Sequence, residues 1–112
     1  MNNTTEMLKG LLEGVVLSII SRKRTYGYEI TKQLQGMGFH GIVDGTVYTI
    51  LTRLERRNLV TTKRCIEDNV VRKYYALNKA GQNELKAFWQ RWEHVSELLN
   101  NAKEQNNDKN HQ

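Results

Sequence analysis

The sequence contains no proline and a single cysteine, Cys65. With one cysteine, no disulfide can form within the chain, and this agrees with a reducing compartment. The sequence also has no internal repeat and no linker of biased composition. Its 112 residues suit one domain, because two domains of half that length would each bury too little apolar surface.

Long hydrophobic runs are also missing. The most apolar stretch, residues 11–20, is too short to span a bilayer and carries Glu13, Gly14 and Ser18. It lacks the small-residue cleavage site of a secretory signal, and its basic cluster follows the apolar run instead of preceding it. We therefore expect a cytoplasmic protein with no membrane partner.

The residue patterns of catalytic and metal sites are lacking as well. There are no paired carboxylates, no glycine-rich phosphate loop and no nucleophile motif, and His40, His94 and His111 lie far apart without metal-ligand spacing. We expect no enzyme, no cofactor and no metal. Cys65 beside Arg64 has two interpretations, a redox sensor next to a cation or an ordinary small strand residue.

The positive charge is concentrated in the middle of the chain. The net charge is +5; residues 42–79 carry eight basic and four acidic groups, whereas residues 80–112 carry four and five. A nucleic-acid surface needs such a concentration, but a solvated basic face without a partner has the same composition.

Two helices are predicted in the first 40 residues. The first begins at an Asn3–Glu6 cap, ends at Arg22-Lys23-Arg24, and has apolar residues in pairs every four positions: Met7, Leu8, Leu11, Leu12, Val15, Val16, Ile19 and Ile20. The second runs from about Tyr26 to Gln35. Its predicted inner face consists of Tyr26, Ile30, Leu34 and Met37.

A third helix follows the short extended connector Phe39–Val43. Asp44 is a suitable N-cap, and Asn58 tolerates the left-handed conformation that ends many helices. The predicted inner face is Val47, Ile50, Leu51 and Leu54, spaced i, i+3, i+4 and i+7. The predicted outer face is Gly45, Thr46, Tyr48, Thr49, Thr52, Arg53 and Arg56.

The periodicity then changes to that of a β-hairpin. Residues 59–65 and 70–77 are rich in Val, Thr, Ile and Tyr and flank the tip Glu67-Asp68-Asn69. Asn78 is predicted to cap a last long helix, followed from residue 103 by a polar tail that we expect to be disordered. The apolar positions of this helix alternate in steps of three and four, as in a coiled-coil seam: Leu85, Phe88, Trp92, Val95, Leu99 and Ala102.

This order of elements predicts a mainly α fold with a small β-hairpin, namely a winged helix-turn-helix. We assign residues 1–79 to a DNA-binding unit, 80–102 to a C-terminal dimerisation helix and 103–112 to the tail. In a helix-turn-helix, the second helix packs by one face and enters the major groove by the other. The alternative is an ordinary amphipathic surface helix.

Hydroxyls and arginines are the side chains that reach base edges and phosphates. We therefore expect DNA contacts from the outer face of the third helix and from the wing residues Lys63, Arg72 and Lys73. Tyr26 is expected to place its ring in the core, and a contact of its hydroxyl with a phosphate is the further interpretation. A basic edge strand that resists aggregation is the alternative interpretation of the wing charges.

Three motifs in this order resemble the PadR-like family of bacterial transcriptional repressors, over about residues 8–100. They are Tyr26-Gly27-Tyr28-Glu29-Ile30, the run from Thr46 to Glu55, and Arg72-Lys73-Tyr74-Tyr75-Ala76-Leu77 with Gly81. The resemblance implies a homodimeric repressor paired through its last helix, which includes Leu85, Phe88, Trp92, Val95 and Leu99. It also implies that Tyr48 and the start of the third helix lie at the DNA. Two such helices in a dimer, about one duplex turn apart, predict a near-palindromic operator.

The short last helix resembles the compact branch of this family. That resemblance implies a planar aromatic effector stacked on Trp92, with Phe88 on the same stripe, although both side chains are also ordinary choices for a dimer seam. Two further alternatives stay open at this point. One is a winged-helix module that binds protein and not DNA, and the other is a DNA binder without an effector.

Overall fold

The computed structural model describes Leu8 and residues 10–110. In chain order the elements are α1 (Leu12–Arg22), β1 (Thr25–Tyr26), α2 (Gly27–Gly36), α3 (Asp44–Arg56), β2 (Val60–Glu67), β3 (Val70–Leu77) and α4 (Lys79–Asn110). The predicted cap residues Asn3 and Glu6, as well as Met7, lie outside the described residues. Every helix in the described part of the chain is too short or too polar to span a bilayer.

One hydrophobic core joins α1, α2, α3 and the base of the sheet. Val16, Ile30 and Leu54 are fully buried in it because each lies on the apolar stripe of its helix. The other buried members are Leu12, Leu17, Ile19, Ile20, Leu34, Ile42, Val47, Leu51, Leu59, Val60 and Tyr75. Met37 was predicted on the inner face of α2 but is exposed, because it lies one residue past the end of that helix.

The starts of α2 and α3 differ from the prediction by one residue each. Tyr26 is extended and is hydrogen-bonded into the sheet, so α2 begins at Gly27. Val43 is the extended residue that precedes α3, and Asp44 is therefore the first helical residue and not the N-cap. Its carboxylate still suits the positive end of the helix dipole. Asn58, with a φ of 57°, ends α3 as predicted.

The hairpin of β2 and β3 is longer and tighter than predicted. Glu67, which we expected in the tip, is paired with Val70, so the turn consists of Asp68 and Asn69 alone. Both turn residues have positive φ, 50° and 65°, the conformation that the twist of a two-residue hairpin requires. The structure adds a third strand, β1, on the other side of β3.

The helix α4 begins where predicted and extends beyond the predicted end. The Asn78 side-chain oxygen accepts a hydrogen bond from the Gly81 backbone N–H at 2.8 Å, which caps the helix. Residues 103–110, which we expected in a disordered tail, are helical. No glycine or proline follows Gly81, and the last turns contain Ala, Lys, Glu and Gln, which favour helix.

Candidate nucleic-acid interface

The outer face of α3 is largely exposed over its first turns, with Thr46 half-buried. Tyr48 is 70% exposed, and a methyl group added at Gly45 would meet no atom of the described residues within 4 Å. On the opposite face, Val47 and Leu51 are at most 2% exposed. The helix therefore meets both requirements of a recognition helix, a buried face and a slim polar face.

Two threonine hydroxyls on this face are bonded to their own helix. Thr49 donates to the Gly45 carbonyl at 3.0 Å, and Thr52 donates to the Tyr48 carbonyl at 2.9 Å. Because the proton is used, each hydroxyl is left as a hydrogen-bond acceptor. In this arrangement the two side chains suit the amino groups of bases better than phosphate oxygens, which only accept. Thr46, nearer the start of the helix, is partly exposed.

Arginines at the end of α3 join it to α1 and α4. Arg53 is 62% exposed and lies 3.4 Å from the Glu13 carboxylate. Arg57 donates to Glu13 and, at 3.2 Å, to Glu84, which also pairs with Arg91. Burial lowers the pKa of Arg57, but hydrogen bonds to Glu13 and Glu84 raise it further than burial lowers it, so Arg57 remains a cation. Of the three arginines in this network, Arg53 (62%) and Arg91 (59%) are more exposed than Arg57 (44%), and of those two only Arg53 lies on the outer face of α3.

The predicted wing cations have different surroundings. Lys63 is exposed on β2, whereas Lys73 on β3 lies 2.7 Å from the Glu55 carboxylate of α3. This hydrogen bond raises the pKa of Lys73, against the opposing effect of partial burial. Arg72, the neighbour of Lys73 on β3, pairs instead with Glu67 at 3.2 Å. A phosphate must therefore compete with a carboxylate for Lys73 and Arg72. Lys63 forms no ion pair with a carboxylate among the described residues.

An open groove of about 360 Å³ separates α3 from the wing. Tyr28, Tyr48 and Val71 line it together with Arg72 and Lys73 of the wing. Of the predicted contact residues, Tyr48 of the helix therefore shares this surface with Arg72 and Lys73 of the wing. Thr46, Thr49 and Arg53 line a separate cavity against α1. Tyr26 also lines the groove, and the Arg72 guanidinium lies 4.7 Å from the centre of its ring.

Comparison with known proteins identifies the family. Residues 16–87 match the family described as "Transcriptional regulator PadR-like family". The chain belongs to the PadR-like family. Members of this family are non-enzymatic DNA-binding transcription regulators, so the sequence-based predictions of the family, of DNA binding and of no enzyme are confirmed.

Solved structures agree with the family and with the winged-helix fold of this PadR-like regulator. A Streptococcus transcriptional regulator is 38% identical, with a TM-score of 0.79 over 88% of this chain and 98% of that one. A PadR-like transcriptional regulator from Bacillus cereus is 37% identical, with a TM-score of 0.77 over 86% and 94%. An uncharacterised protein from Lysinibacillus sphaericus is 26% identical over 98 residues, 85% of this chain and 90% of that protein.

The predicted dimer residues of the PadR-like regulator divide into two groups. Leu85 packs against the core, and the Phe88 ring covers Gly14 of α1 so closely that a Cβ there would lie 2.3 Å from it. Trp92, Val95 and Leu99 are 38%, 45% and 56% exposed. The first group therefore fixes α4 on its own chain, and the second is an uncovered apolar row.

The ion-pair network and β1 were not predicted from the sequence. Glu13 and Glu84 are about 70 residues apart, and no local pattern indicates that both meet Arg57. Tyr28 was part of a family motif, yet its 59% exposure beside Tyr48 was not foreseen. Among the described residues, no three His, Cys, Asp or Glu side chains form a group that could hold a metal ion.

Proposed function

We propose that this PadR-like regulator is a homodimeric repressor. In this proposal, two copies bind a near-palindromic operator and leave it when a planar aromatic ligand binds at the dimer centre. The observation that carries the proposal is the uncovered apolar row on the outer half of α4, consisting of Trp92, Val95 and Leu99.

A second copy is the partner that suits this row. The three side chains follow the three–four spacing with which helices pair in a left-handed coil, and α4 continues past them to Asn110. Leaving such side chains in water forgoes roughly 25 cal/mol per Å² of apolar surface. An identical helix offers the same spacing, so one contact repeated by two-fold symmetry covers both rows.

Pairing through α4 explains how the DNA site would be read. Each copy presents one α3, and α4 is fixed to the rest of its chain by Leu85 and Phe88. Two recognition helices related by a two-fold axis fit successive major grooves about 34 Å apart. The operator is then expected to be a near-palindrome with half-sites about one duplex turn apart.

A ligand on Trp92 would act by changing the separation of the two α3 helices. The Trp92 indole is exposed on each copy, whereas the Phe88 ring is held between Gly14 and the Trp89 ring, 5.0 Å away. We therefore assign the stacking surface chiefly to Trp92. A flat aromatic compound that binds one dimer shape better than the other lowers DNA affinity by that difference in binding free energy.

The test of the repressor is selection of bound genomic DNA fragments by the purified protein. It is followed by transcription from the best fragment with and without protein. The proposal expects a dimer in sedimentation, an enriched near-palindrome and reduced transcription. A monomer, or a fragment bound without symmetry, would contradict it, and a protein that binds no DNA would instead support the protein-interaction alternative.

The ligand is tested separately with matched tryptophan variants. A panel of planar aromatic compounds is titrated into the wild type, Trp92→Phe and Trp89→Phe, with fluorescence quenching and operator release as the two measurements. We expect compounds that quench the wild type and Trp89→Phe to lose both effects in Trp92→Phe. If no compound quenches the wild type, the effector is refuted, and a repressor without one remains.

A further inference from the structure

The segment between α1 and β1 forms a basic surface outside both the recognition helix and the wing. Arg22, Lys23 and Arg24 are all exposed. Together with Thr25 and Tyr26, they line an open cavity of about 300 Å³. One acidic residue, Glu29, also lines it, so the charge of the lining is +2. The sequence prediction used this basic run only as a helix end.

Arg24 is held in place by a stack that continues into the wing. Its guanidinium lies 5.4 Å from the centre of the Tyr74 ring, and the Tyr74 ring meets the Tyr26 ring edge-on at 5.3 Å. Arg72 lies over the other ring at 4.7 Å. The two arginines are thus connected through two tyrosine rings. Stacking restrains a side chain that otherwise loses rotamer freedom on binding, so Arg24 is prepared for a ligand.

A second feature of the same cavity points to an anion. Thr25 is only 5% exposed, and its buried hydroxyl nevertheless has no hydrogen-bond partner among the described residues. It lies just before α2, whose first N–H groups have no partner within the helix and form the positive end of its dipole. A phosphate oxygen accepts hydrogen bonds from hydroxyls, backbone N–H groups and guanidinium groups alike.

The register of the sheet indicates which phosphate this is. Tyr26 is paired with Tyr74 and Thr25 with Tyr75, so the chain moves away from the wing tip as it passes from Tyr26 back to Arg24. A group at Arg24 therefore lies on the side of the wing away from its tip. If DNA runs along the wing from its tip, a phosphate at Arg24 lies beyond those near Arg72, which is the placement used in the proposal below.

We propose that Arg24, supported by Arg22, Lys23 and the Thr25 hydroxyl, binds a backbone phosphate that flanks the segment contacted by α3 and the wing. The inference rests on the operator-bound homodimer proposed above and adds a contact that carries no base information. Each copy of a dimer adds one such contact, at the two ends of the operator. Each neutralised phosphate makes the affinity fall more steeply with salt. The slope of log K against log salt concentration becomes more negative by about 0.9 for each phosphate.

The test compares Arg24→Ala with Lys103→Ala, which removes the same charge from the exposed end of α4. Affinity is measured on two duplexes that contain the selected operator. One is trimmed to the shortest length to which Arg24→Ala still binds without loss of affinity. The other is longer by about six base pairs at each end, roughly half a helical turn. Ethylation interference then maps the phosphates that each protein needs.

The wild type and Lys103→Ala are expected to bind the longer duplex about 5- to 20-fold more tightly than the trimmed one. In Arg24→Ala this gain is lost, the salt slope falls by about 1.8 for two contacts, and one phosphate near each end no longer interferes. Arg24→Lys, which keeps the charge but not the planar stack, should recover part of the gain.

Two results would overturn the proposal. If Arg24→Ala weakens both duplexes equally, Arg24 acts inside the recognised segment or on the fold, and thermal unfolding of the variant separates those cases. If Arg24→Ala binds both duplexes like the wild type, no flanking phosphate is bound there, and the repressor proposal is unaffected. A wild type that binds neither duplex would refute the repressor as well.

Discussion

The helices α3 and α4 each leave one face uncovered, but the two faces differ in kind. The uncovered face of α3 carries Tyr48, two threonine hydroxyls and Arg53, whereas that of α4 carries Trp92, Val95 and Leu99. Water solvates the first face well and the second poorly. A polar face can therefore remain exposed until it binds a charged partner such as DNA, whereas an exposed apolar row marks a surface that another protein or a ligand covers. The predictions below test this contrast.

The largest effect is expected from a charge placed in the apolar row. Leu99→Asp puts two carboxylates near each other and next to apolar groups across the proposed two-fold axis, which disfavours pairing through desolvation and repulsion. We expect the dimer dissociation constant to rise at least about 100-fold, roughly 3 kcal/mol.

Sedimentation equilibrium checks this prediction, and Asn101→Asp, on the opposite side of the same stretch of α4, is the control. Operator affinity should fall together with dimerisation in Leu99→Asp alone. Equal behaviour of the two variants would mean that the apolar row is not the dimer contact.

A similarly large effect, on stability, is expected where the start of α4 packs against the Leu59 backbone. A Cβ at position 81 would lie 2.1 Å from the Leu59 backbone oxygen, which cannot move as a side chain can. We expect Gly81→Ala to destabilise the protein by about 2 kcal/mol, despite the better helix propensity of alanine.

Urea denaturation measures this change in the free energy of unfolding. Gly36→Ala in α2 is the control, because its added methyl group meets no described atom within 4 Å, and we expect it to be neutral or stabilising by up to about 1 kcal/mol. If both variants were stabilised, the close approach of α4 to Leu59 would be disproved.

The polar face of α3 is tested by two arginines in matched surroundings. Arg53 and Arg91 are 62% and 59% exposed, and each pairs with a glutamate, at 3.4 and 3.2 Å. Arg53→Ala should weaken operator binding by about 1–2 kcal/mol, or roughly 5- to 30-fold, through loss of a DNA contact. Arg91→Ala should leave binding within about twofold in the same gel-shift titration. A similar loss in both variants would place the effect in the ion pairs and not at the DNA.

The smallest effect is expected from the ion pairs of Glu84 with Arg57 and Arg91, which link the end of α3 to α4. Partial burial raises the pKa of Glu84, but hydrogen bonds from Arg57 and Arg91 outweigh it and leave the pKa below its ordinary value. A carboxylate with a lowered pKa stabilises the fold above the ordinary glutamate pKa, and this contribution is lost as the pH falls through the lowered value.

Glu84→Gln should therefore cost about 0.5–1 kcal/mol at pH 7, since the pairs are partly exposed. The difference from the wild type should shrink when urea denaturation is repeated below about pH 4, where the wild-type carboxylate begins to take up a proton. A difference that stays constant between the two pH values would mean that the charge of Glu84 contributes nothing.

Local patterns predicted most of the fold because each helix has a single apolar stripe. Val47, Leu51 and Leu54 are buried as their spacing indicated, and Asn58 and Asn78 end and begin helices as their backbone chemistry suggests. The two-residue strand β1 could not be predicted, because its pairing with β3 depends on residues about 50 positions away. The extension of α4 to Asn110 was missed because a polar composition was given more weight than the absence of helix-breaking residues.

The candidate site was predicted less fully than the fold. Sequence spacing places Tyr48 and Arg53 on the outside of α3, because a helix has one period and one buried face. It does not indicate that Lys73 is held by Glu55 or that Arg24 lies over Tyr74. Those contacts join different elements, and their distances depend on how the sheet and helices pack.

By itself, then, the sequence determined which elements form, their order, and which face of each helix is apolar, because these depend on the periods of local backbone structure. Tertiary structure alone decided which charges are paired, which tyrosine rings stack, and where the apolar stripe of α4 changes from core to exposed surface. The reason is that ion pairs, ring stacks and burial depend on distances in space between residues that no local period connects.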